Sequence, residues 1–209
     1  MNTKIVKSIV YVFEVICVML FVYFYSCLQK TNNIQRTELE RLREGNANML
    51  YKIENMIVLS KLQYSMEGRN IQNVCLYDRN NNRSQFDELY QNGYRLGYFI
   101  SEQSCSACYK SFLNALKETS NIIGKNKIVL ICKFGNRRNF QAFIKDHDLN
   151  LDIYRAEDDF GLFEEYNDYP IAFMITPDLR MENVIITDKT NHEISNDYLE
   201  IMQTKILNR

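Results

Sequence analysis

The chain has 209 residues, 46% of them hydrophobic, which is enough for one membrane anchor and one compact domain but not for two full domains. Its 25 lysines and arginines balance 26 acids, so the sequence offers no electrostatic basis for a nucleic-acid partner, and we expect none. Six unevenly spaced cysteines are too few for a small fold held together by disulfides.

An apolar run at the N terminus predicts a membrane anchor over residues 1–28. As a helix, residues 5–28 are long enough to cross about 30 Å of hydrocarbon. Glu14 is the only acid inside this run, and it costs about 3 kcal/mol near the bilayer centre. The fourteen Leu, Ile, Val and Phe side chains of the run outweigh that cost, so insertion is favoured.

A short basic head before such a run is typical of an uncleaved signal anchor. We therefore expect a single-pass protein of the bacterial cytoplasmic membrane, with the lipid bilayer as a partner and the C-terminal domain on the periplasmic or extracytoplasmic side. Lysines and arginines lie on both sides of the run, so charge alone does not decide the orientation. The alternative is a processed lipoprotein signal with Cys27 as the acylated residue.

Residues 29–70 are polar and rich in helix formers, which predicts a helical stalk or linker. Alternating steps of three and four relate a series of mostly apolar positions, as in a coiled coil: Leu39, Leu42, Asn46, Met49, Ile53 and Met56. Two interpretations stay open. The series would either pair two copies as a homodimer through the stalk or form the apolar face of a helix that packs on its own domain.

From residue 71 to residue 209, short apolar segments alternate with amphipathic helices, which is typical of a sheet covered by helices. Strands are predicted at residues 74–77, 94–101, 127–134, 151–154, 171–176 and 181–187, and a last helix near 196–207. The continuous apolar core of 127–134 suits a central strand that is buried on both faces. These elements predict an α/β domain.

The most organised motif is the pair Cys105 and Cys108, separated by Ser and Ala at the start of a predicted helix. Cys108 shares an apolar stripe with Phe112 and Leu116, so it should face inward. Cys105 lies at the helix N terminus, where the helix dipole and unpaired N–H groups stabilise a thiolate. Residues three apart on a helix approach disulfide geometry. The pattern predicts attack by Cys105 and resolution by Cys108, with no cofactor.

A CxxC pair also occurs in zinc sites, but zinc needs two further ligands, and His147 and His192 are the only histidines. His147 shares a helical stripe with Phe140 and Phe143, which indicates packing at the margin of the core. We therefore expect no metal site.

The CxxC pair after a strand, the apolar central strand and the proline that opens a late strand together resemble the thioredoxin superfamily. The closer resemblance is to the TlpA group of membrane-anchored thiol-disulfide oxidoreductases. Residues 76–80, followed by 86–89, resemble the amino-terminal hairpin of that group and the turn after it, and the interval from Cys108 to Pro170 leaves room for its inserted segment. The resemblance covers about residues 71–209.

This resemblance implies a thioredoxin-like fold, in which helices flank a central mixed sheet. It also implies that Pro170 is a cis-proline facing the cysteine pair, and that the backbone of Tyr169 pairs with a bound substrate chain. Some residues depart from the family pattern. There is no tryptophan, and Ser104 precedes the first cysteine. Residues 94–100 lack the acid that many relatives use to move the proton of the buried cysteine, and Glu102, the nearest acid, is expected to be solvated.

The sequence therefore predicts a thiol-disulfide oxidoreductase that acts on thiol- or disulfide-containing proteins outside the cytoplasm, together with a redox partner protein. One alternative is a non-enzymatic binding module on the same fold, with the two cysteines in a structural disulfide. A second is a thiol-based metallochaperone that binds a soft metal through the two thiols and a histidine. Outside the pair, Cys132 is expected to be an inert core thiol, and the role of Cys75 is open.

Overall fold

The protein is represented by a computed structural model that describes residues 3–71, 74–88, 93–157, 169–188 and 192–208. The chain divides into two compact units, residues 1–57 and 58–209. The predicted domain boundaries after residues 28 and 70 stay predictions.

The first unit belongs to helix α1 (Thr3–Met66), which continues into the start of the second unit. Side chains at every position from 11 to 30 are exposed, and most of them are apolar. A helix that is apolar on all sides is typical of a membrane span, and a signal sequence has the same properties. This helix has the length and composition to cross a membrane, which agrees with the predicted anchor.

The second unit contains one seven-stranded sheet with the order β2-β1-β5-β4-β3-β6-β7. Its strands are β1 (Cys75–Tyr77), β2 (Arg83–Gln85), β3 (Arg95–Ser101), β4 (Ile128–Lys133), β5 (Asp152–Ala156), β6 (Ile171–Ile175) and β7 (Met181–Ile186). Strands β3, β4 and β5 are parallel, and the other neighbours are antiparallel. The predicted mixed sheet is confirmed.

Helices cover both faces of this sheet. On one face, α2 (Ser106–Ile123), α3 (Arg137–Asp146) and α4 (His192–Leu207) contribute to a core that contains Tyr98 and Ile100 from β3. On the other face, the end of α1 contributes Leu59 and Met66 to a second core that contains Phe99. Successive β3 side chains therefore point to opposite cores, as expected for a strand that is buried on both faces.

Two contacts fix the middle and one edge of the sheet. A Cβ atom at Gly97 would lie 2.7 Å from the Phe173 ring of the neighbouring strand, so the close packing of β3 on β6 requires glycine there. At the β7 edge, the Glu67 carboxylate accepts the backbone N–H groups of Asn183 and Val184 at 2.8 and 3.0 Å. These two N–H groups would otherwise lie on an open edge of the sheet.

The strand directions bring several loops to one end of the sheet. Because β6 is antiparallel to β3 and β7 is antiparallel to β6, β7 runs in the same direction as β3. The carboxyl ends of β3, β4, β5 and β7 and the start of β6 therefore share one end of the sheet. The cysteine pair, which follows β3, lies at that end.

Candidate redox site

Cys105 is the N-cap residue of α2, and its side chain is exposed. The backbone N–H of Cys108 donates to the Cys105 carbonyl at 2.9 Å, which closes the first turn of the helix. The Cys105 sulfur thus lies at the positive end of an 18-residue helix. A thiolate is favoured in that position because the dipole and the first N–H groups stabilise negative charge.

Two buried serines shape the turn that delivers Cys105. Ser104 Oγ accepts the backbone N–H of Ser101 at 3.1 Å and lies 3.1 Å from Ser101 Oγ. The Ser101 hydroxyl also accepts the N–H of Gln103 at 3.2 Å. Ser104, which departs from the family pattern, therefore helps to hold the turn from β3 into α2.

Cys108 lies one turn further along α2, and its side chain is half-buried. Its thiol donates to Asp188 Oδ1 across 3.8 Å, a distance within the range of hydrogen bonds from sulfur. Asp188 is itself half-buried and follows β7 by two residues. The inner thiol of the pair therefore has a carboxylate beside it.

Asp188 is not among the residues predicted from the sequence, although one signal in the sequence points to it. Only a short turn, residues 177–180, joins the predicted strands 171–176 and 181–187, so the second strand is expected to run antiparallel to the first, as it does. A residue just after 187 then lies close to the start of the strand that Pro170 opens. That relation places Asp188 and Pro170 at the same end of the sheet.

A buried set of hydrogen bonds joins Pro170, Thr187 and Tyr98, and Thr187 directly precedes Asp188 in the chain. The backbone N–H of Thr187 donates to the Pro170 carbonyl at 3.0 Å, and the Thr187 hydroxyl lies 3.0 Å from the Tyr98 hydroxyl. Burial raises the pKa of Tyr98 well above its ordinary value, so the phenol stays protonated and can donate. Through these two contacts in the protein interior, Thr187 holds the backbone next to Asp188 in place.

The expectation of a cis-proline is wrong. No peptide bond between described residues is cis, so the bond from Tyr169 to Pro170 is trans. The trans form is the ordinary state of such bonds, favoured by about 0.5–1 kcal/mol, and a proline just before a strand needs no other. Pro170 is buried and Tyr169 is half-buried at the start of β6. Their contact with a substrate stays a prediction.

Glu102 is exposed, as expected, but it is not simply solvated. Its Oε2 atom accepts the Gly135 N–H at 3.0 Å, and its Oε1 atom accepts the side-chain amide of Asn139. The backbone N–H of Glu102 donates to the Lys133 carbonyl at 2.9 Å. Glu102 therefore ties the end of β3 to the start of α3, and each of its two carboxylate oxygens accepts a hydrogen bond there.

The two cysteines of the domain outside the pair differ in their burial and in their partners. Cys132 is fully buried in β4, and burial raises the pKa of its thiol well above the usual value, which makes it unreactive. Cys75 lies in β1, where its sulfur accepts from Arg83 Nη2 at 2.7 Å and from Gln85 Nε2 at 3.3 Å. That contact raises the pKa of the Arg83 guanidinium.

His147 ends α3 in aromatic surroundings, with ring centroids 4.7 Å from Phe143 and 5.6 Å from Tyr109. Burial and the nearby Lys117 ammonium lower its pKa. Across the part of the chain that the structure describes, no three His, Cys, Asp or Glu side chains form a group suited to a metal ion. The side chain of His192 lies outside that part.

No family model matches the sequence, and no curated protein matches it either. Solved structures do. The thioredoxin domain of a thiol-disulfide oxidoreductase from Bacteroides vulgatus is 13% identical with a TM-score of 0.48, and the match covers 64% of this chain and 97% of that one. A thiol:disulfide interchange protein from Bacteroides sp. is 14% identical with a TM-score of 0.49, covering 64% and 90%.

A candidate protein disulfide isomerase from Bacteroides thetaiotaomicron is 12% identical with a TM-score of 0.52, and the match covers 68% of this chain and 91% of that one. At this identity the likeness shows the fold. The chain has a thioredoxin-like fold, preceded by a long apolar helix, and the predicted fold class is confirmed.

Proposed function

We propose that this protein is a thiol-disulfide oxidoreductase whose working groups are Cys105, Cys108 and Asp188. The observation that carries the proposal is the unequal placement of two thiols on one helical turn. The outer thiol is exposed at the N-cap of α2, and the inner thiol is half-buried at 3.8 Å from a carboxylate oxygen. The names of the Bacteroides structures, which describe thiol-disulfide chemistry, support the same class of reaction.

The first step of the reducing direction belongs to Cys105. Its thiolate attacks one sulfur of a substrate disulfide, the substrate S–S bond breaks, and the leaving sulfur takes a proton from solvent. A mixed disulfide between Cys105 and the substrate results. This step requires an accessible thiolate, which is what an exposed N-cap cysteine provides.

The second step belongs to Cys108. Its thiol must lose a proton before it can attack the Cys105 sulfur, and a half-buried group has limited access to water. The Asp188 carboxylate accepts that proton as the Cys105–Cys108 bond forms and the second substrate thiolate leaves. Two electrons pass from the cysteine pair to the substrate, and the same steps in reverse oxidise a substrate dithiol.

A redox partner protein must then reset the pair, because each reaction leaves the two cysteines in the opposite state. The start of β6 offers a place for the substrate chain, with Tyr169 supplying backbone hydrogen bonds beside Pro170. The apolar helix at residues 11–28 anchors the domain in the bacterial cytoplasmic membrane. The domain faces the outside, and its substrates are exported proteins with thiols or disulfides.

The test uses the full chain in detergent, with a dye-labelled peptide disulfide as substrate. The wild-type chain should turn the peptide over, Cys105→Ser should fall to the uncatalysed rate, and Cys108→Ser should accumulate the mixed disulfide. Cys75→Ser, which removes a thiol outside the pair, is the matched control and should keep the wild-type rate. Full exchange activity in the Cys105→Ser chain would overturn the proposal.

The reduction potential of the pair, equilibrated against defined thiol-disulfide buffers, gives the direction. A value near about −270 mV indicates a reductase, and a value near about −120 mV indicates an oxidant. If the pair never cycles, or if its reduction potential lies below about −300 mV, the cysteines form a structural disulfide. The enzyme hypothesis would then give way to that of a non-enzymatic binding module.

A further inference from the structure

The part of α1 between residues 38 and 57 exposes an apolar stripe. Its apolar heptad positions are between 50% and 66% exposed: Leu39, Leu42, Met49, Ile53 and Met56. Leu50 and Ile57 lie next to this stripe and are also exposed. A helix that presents such a stripe to water gains free energy when a second surface covers it, since each Å² of apolar area removed from water contributes about 25 cal/mol.

We infer that the stripe pairs with the same stripe of a second copy of this chain, as a parallel two-stranded coiled coil. Residues 39, 46 and 53 take the a positions of the heptad, and residues 42, 49 and 56 take the d positions. Asn46 is the one polar residue of the seam, and a single Asn at an a position fixes the register and favours a dimer.

Charge complementarity supports the same pairing. In a parallel coiled coil, a g residue of one helix lies opposite the e residue that follows in the other helix. Here Glu38 takes a g position and Arg43 takes the next e position. In the dimer, Glu38 of each copy therefore lies opposite Arg43 of the other copy, and both contacts join opposite charges. Within one chain, Glu38 contacts only the exposed Arg41 among the ion pairs of the described residues, at 3.5 Å.

The opposite face of the helix fits an exposed position in such a dimer. Its residues are mostly polar or charged: Glu40, Arg41, Glu44, Asn48, Glu54 and Asn55. The N-terminal apolar segments also require a parallel arrangement if both copies enter the same bilayer from the same side. This pairing involves the stalk alone and is independent of the redox chemistry.

Sedimentation velocity of the full chain in density-matched detergent tests the pairing. The wild-type chain should sediment as a dimer, and Leu42→Glu/Met49→Glu should weaken dimerisation by about 100-fold, because each copy then places two charges in an apolar seam. Tyr51→Glu, at an f position facing water, is the matched control and should remain a dimer. Circular dichroism should show the same helix content in all three chains, since glutamate is a good helix former.

Two outcomes would overturn the inference. A monomeric wild-type chain would mean that the stripe packs within one copy. A dimer that survives Leu42→Glu/Met49→Glu unchanged would mean that the copies associate elsewhere, for example through the apolar segment.

Charge reversal tests the parallel register. Glu38→Arg and Arg43→Glu should each weaken the dimer by about 3-fold, and the double reversal should restore it, as expected for exposed charge pairs. Effects that simply add in the double variant would overturn the assigned register.

Discussion

Two loops at the same end of the sheet each carry a carboxylate, and the two carboxylates have different surroundings. Glu102, after β3, is exposed, and both of its oxygens accept hydrogen bonds from fixed amide donors at the start of α3. Asp188, after β7, is half-buried and lies beside the Cys108 thiol. The groups that surround each carboxylate therefore decide its role. Glu102 is held by fixed amide donors and ties two elements together, whereas Asp188 lies beside a thiol and is the proton acceptor of the proposed mechanism.

The largest expected difference between the two loops is in the rate of exchange. Asp188→Asn should slow resolution of the mixed disulfide by about 100-fold, because an amide cannot accept the Cys108 proton. Glu102→Gln should change the rate by less than about 2-fold, since its partners are the donors of another loop. Rapid-quench analysis of the mixed disulfide measures this step directly.

The pH dependence of the resolution rate distinguishes a loss of proton transfer from a change in the structure of the site. The defect of Asp188→Asn should shrink at high pH, where the Cys108 thiol ionises without help, and Asp188→Glu should recover part of the neutral-pH rate. Attack by Cys105, measured in a Cys108→Ser background, should be unaffected by Asp188→Asn. A pH-independent defect, or an equal loss from Glu102→Gln, would contradict the contrast between the loops.

The second difference is how the Asp188 loop is held. Thr187→Val removes the hydroxyl that lies 3.0 Å from the buried Tyr98 phenol, and should lower the free energy of unfolding by about 2 kcal/mol. Thr187→Ser keeps the hydroxyl and should lose less. Urea unfolding of the full chain measures both, and equal losses from the two variants would show that the hydroxyl contributes nothing.

Substitutions in the Glu102 loop should affect stability more than the exchange rate, which is the opposite of the expectation for Asp188. Glu102→Ala removes the tie between β3 and α3 and should lower the free energy of unfolding by about 1 kcal/mol, because its hydrogen bonds are exposed to water. Asp188→Ala should cost less stability than Glu102→Ala while slowing exchange far more. Urea unfolding and exchange rates of the same two variants test this. A larger loss of stability from Asp188→Ala, or a larger loss of exchange rate from Glu102→Ala, would contradict the expected contrast.

The smallest expected effect comes from the far end of α3, the helix that Glu102 holds at its start. Burial lowers the pKa of His147 in the folded chain below the unfolded value of about 6.5. The unfolded chain therefore binds the proton first, and stability falls as the pH drops below about 6.5. His147→Gln should flatten the unfolding profile between pH 7 and pH 5. A profile of unchanged slope would show that another group titrates there.

Local patterns in the sequence predicted much of this molecule. The helical period placed Cys108 inward and Cys105 at the N-cap, and the apolar runs predicted the central strands. Strand β2 was missed because Arg83, Ser84 and Gln85 are polar and carry no strand pattern. The contact between Cys108 and Asp188 joins residues 80 positions apart, so only the order and direction of the strands reveal it. The family resemblance correctly placed Pro170 at the start of a strand, but it predicted a cis peptide bond where the bond is trans.

The contact of Glu67 with the edge strand β7 has a consequence for crowding. Its carboxylate occupies the N–H groups of Asn183 and Val184, which are the groups that an incoming strand from another molecule would use. The proposed membrane anchor would bring neighbouring copies together at high local concentration and in a common orientation, which are conditions that favour edge-to-edge aggregation. Glu67 thus protects this part of the β7 edge from pairing with a strand of a neighbouring molecule.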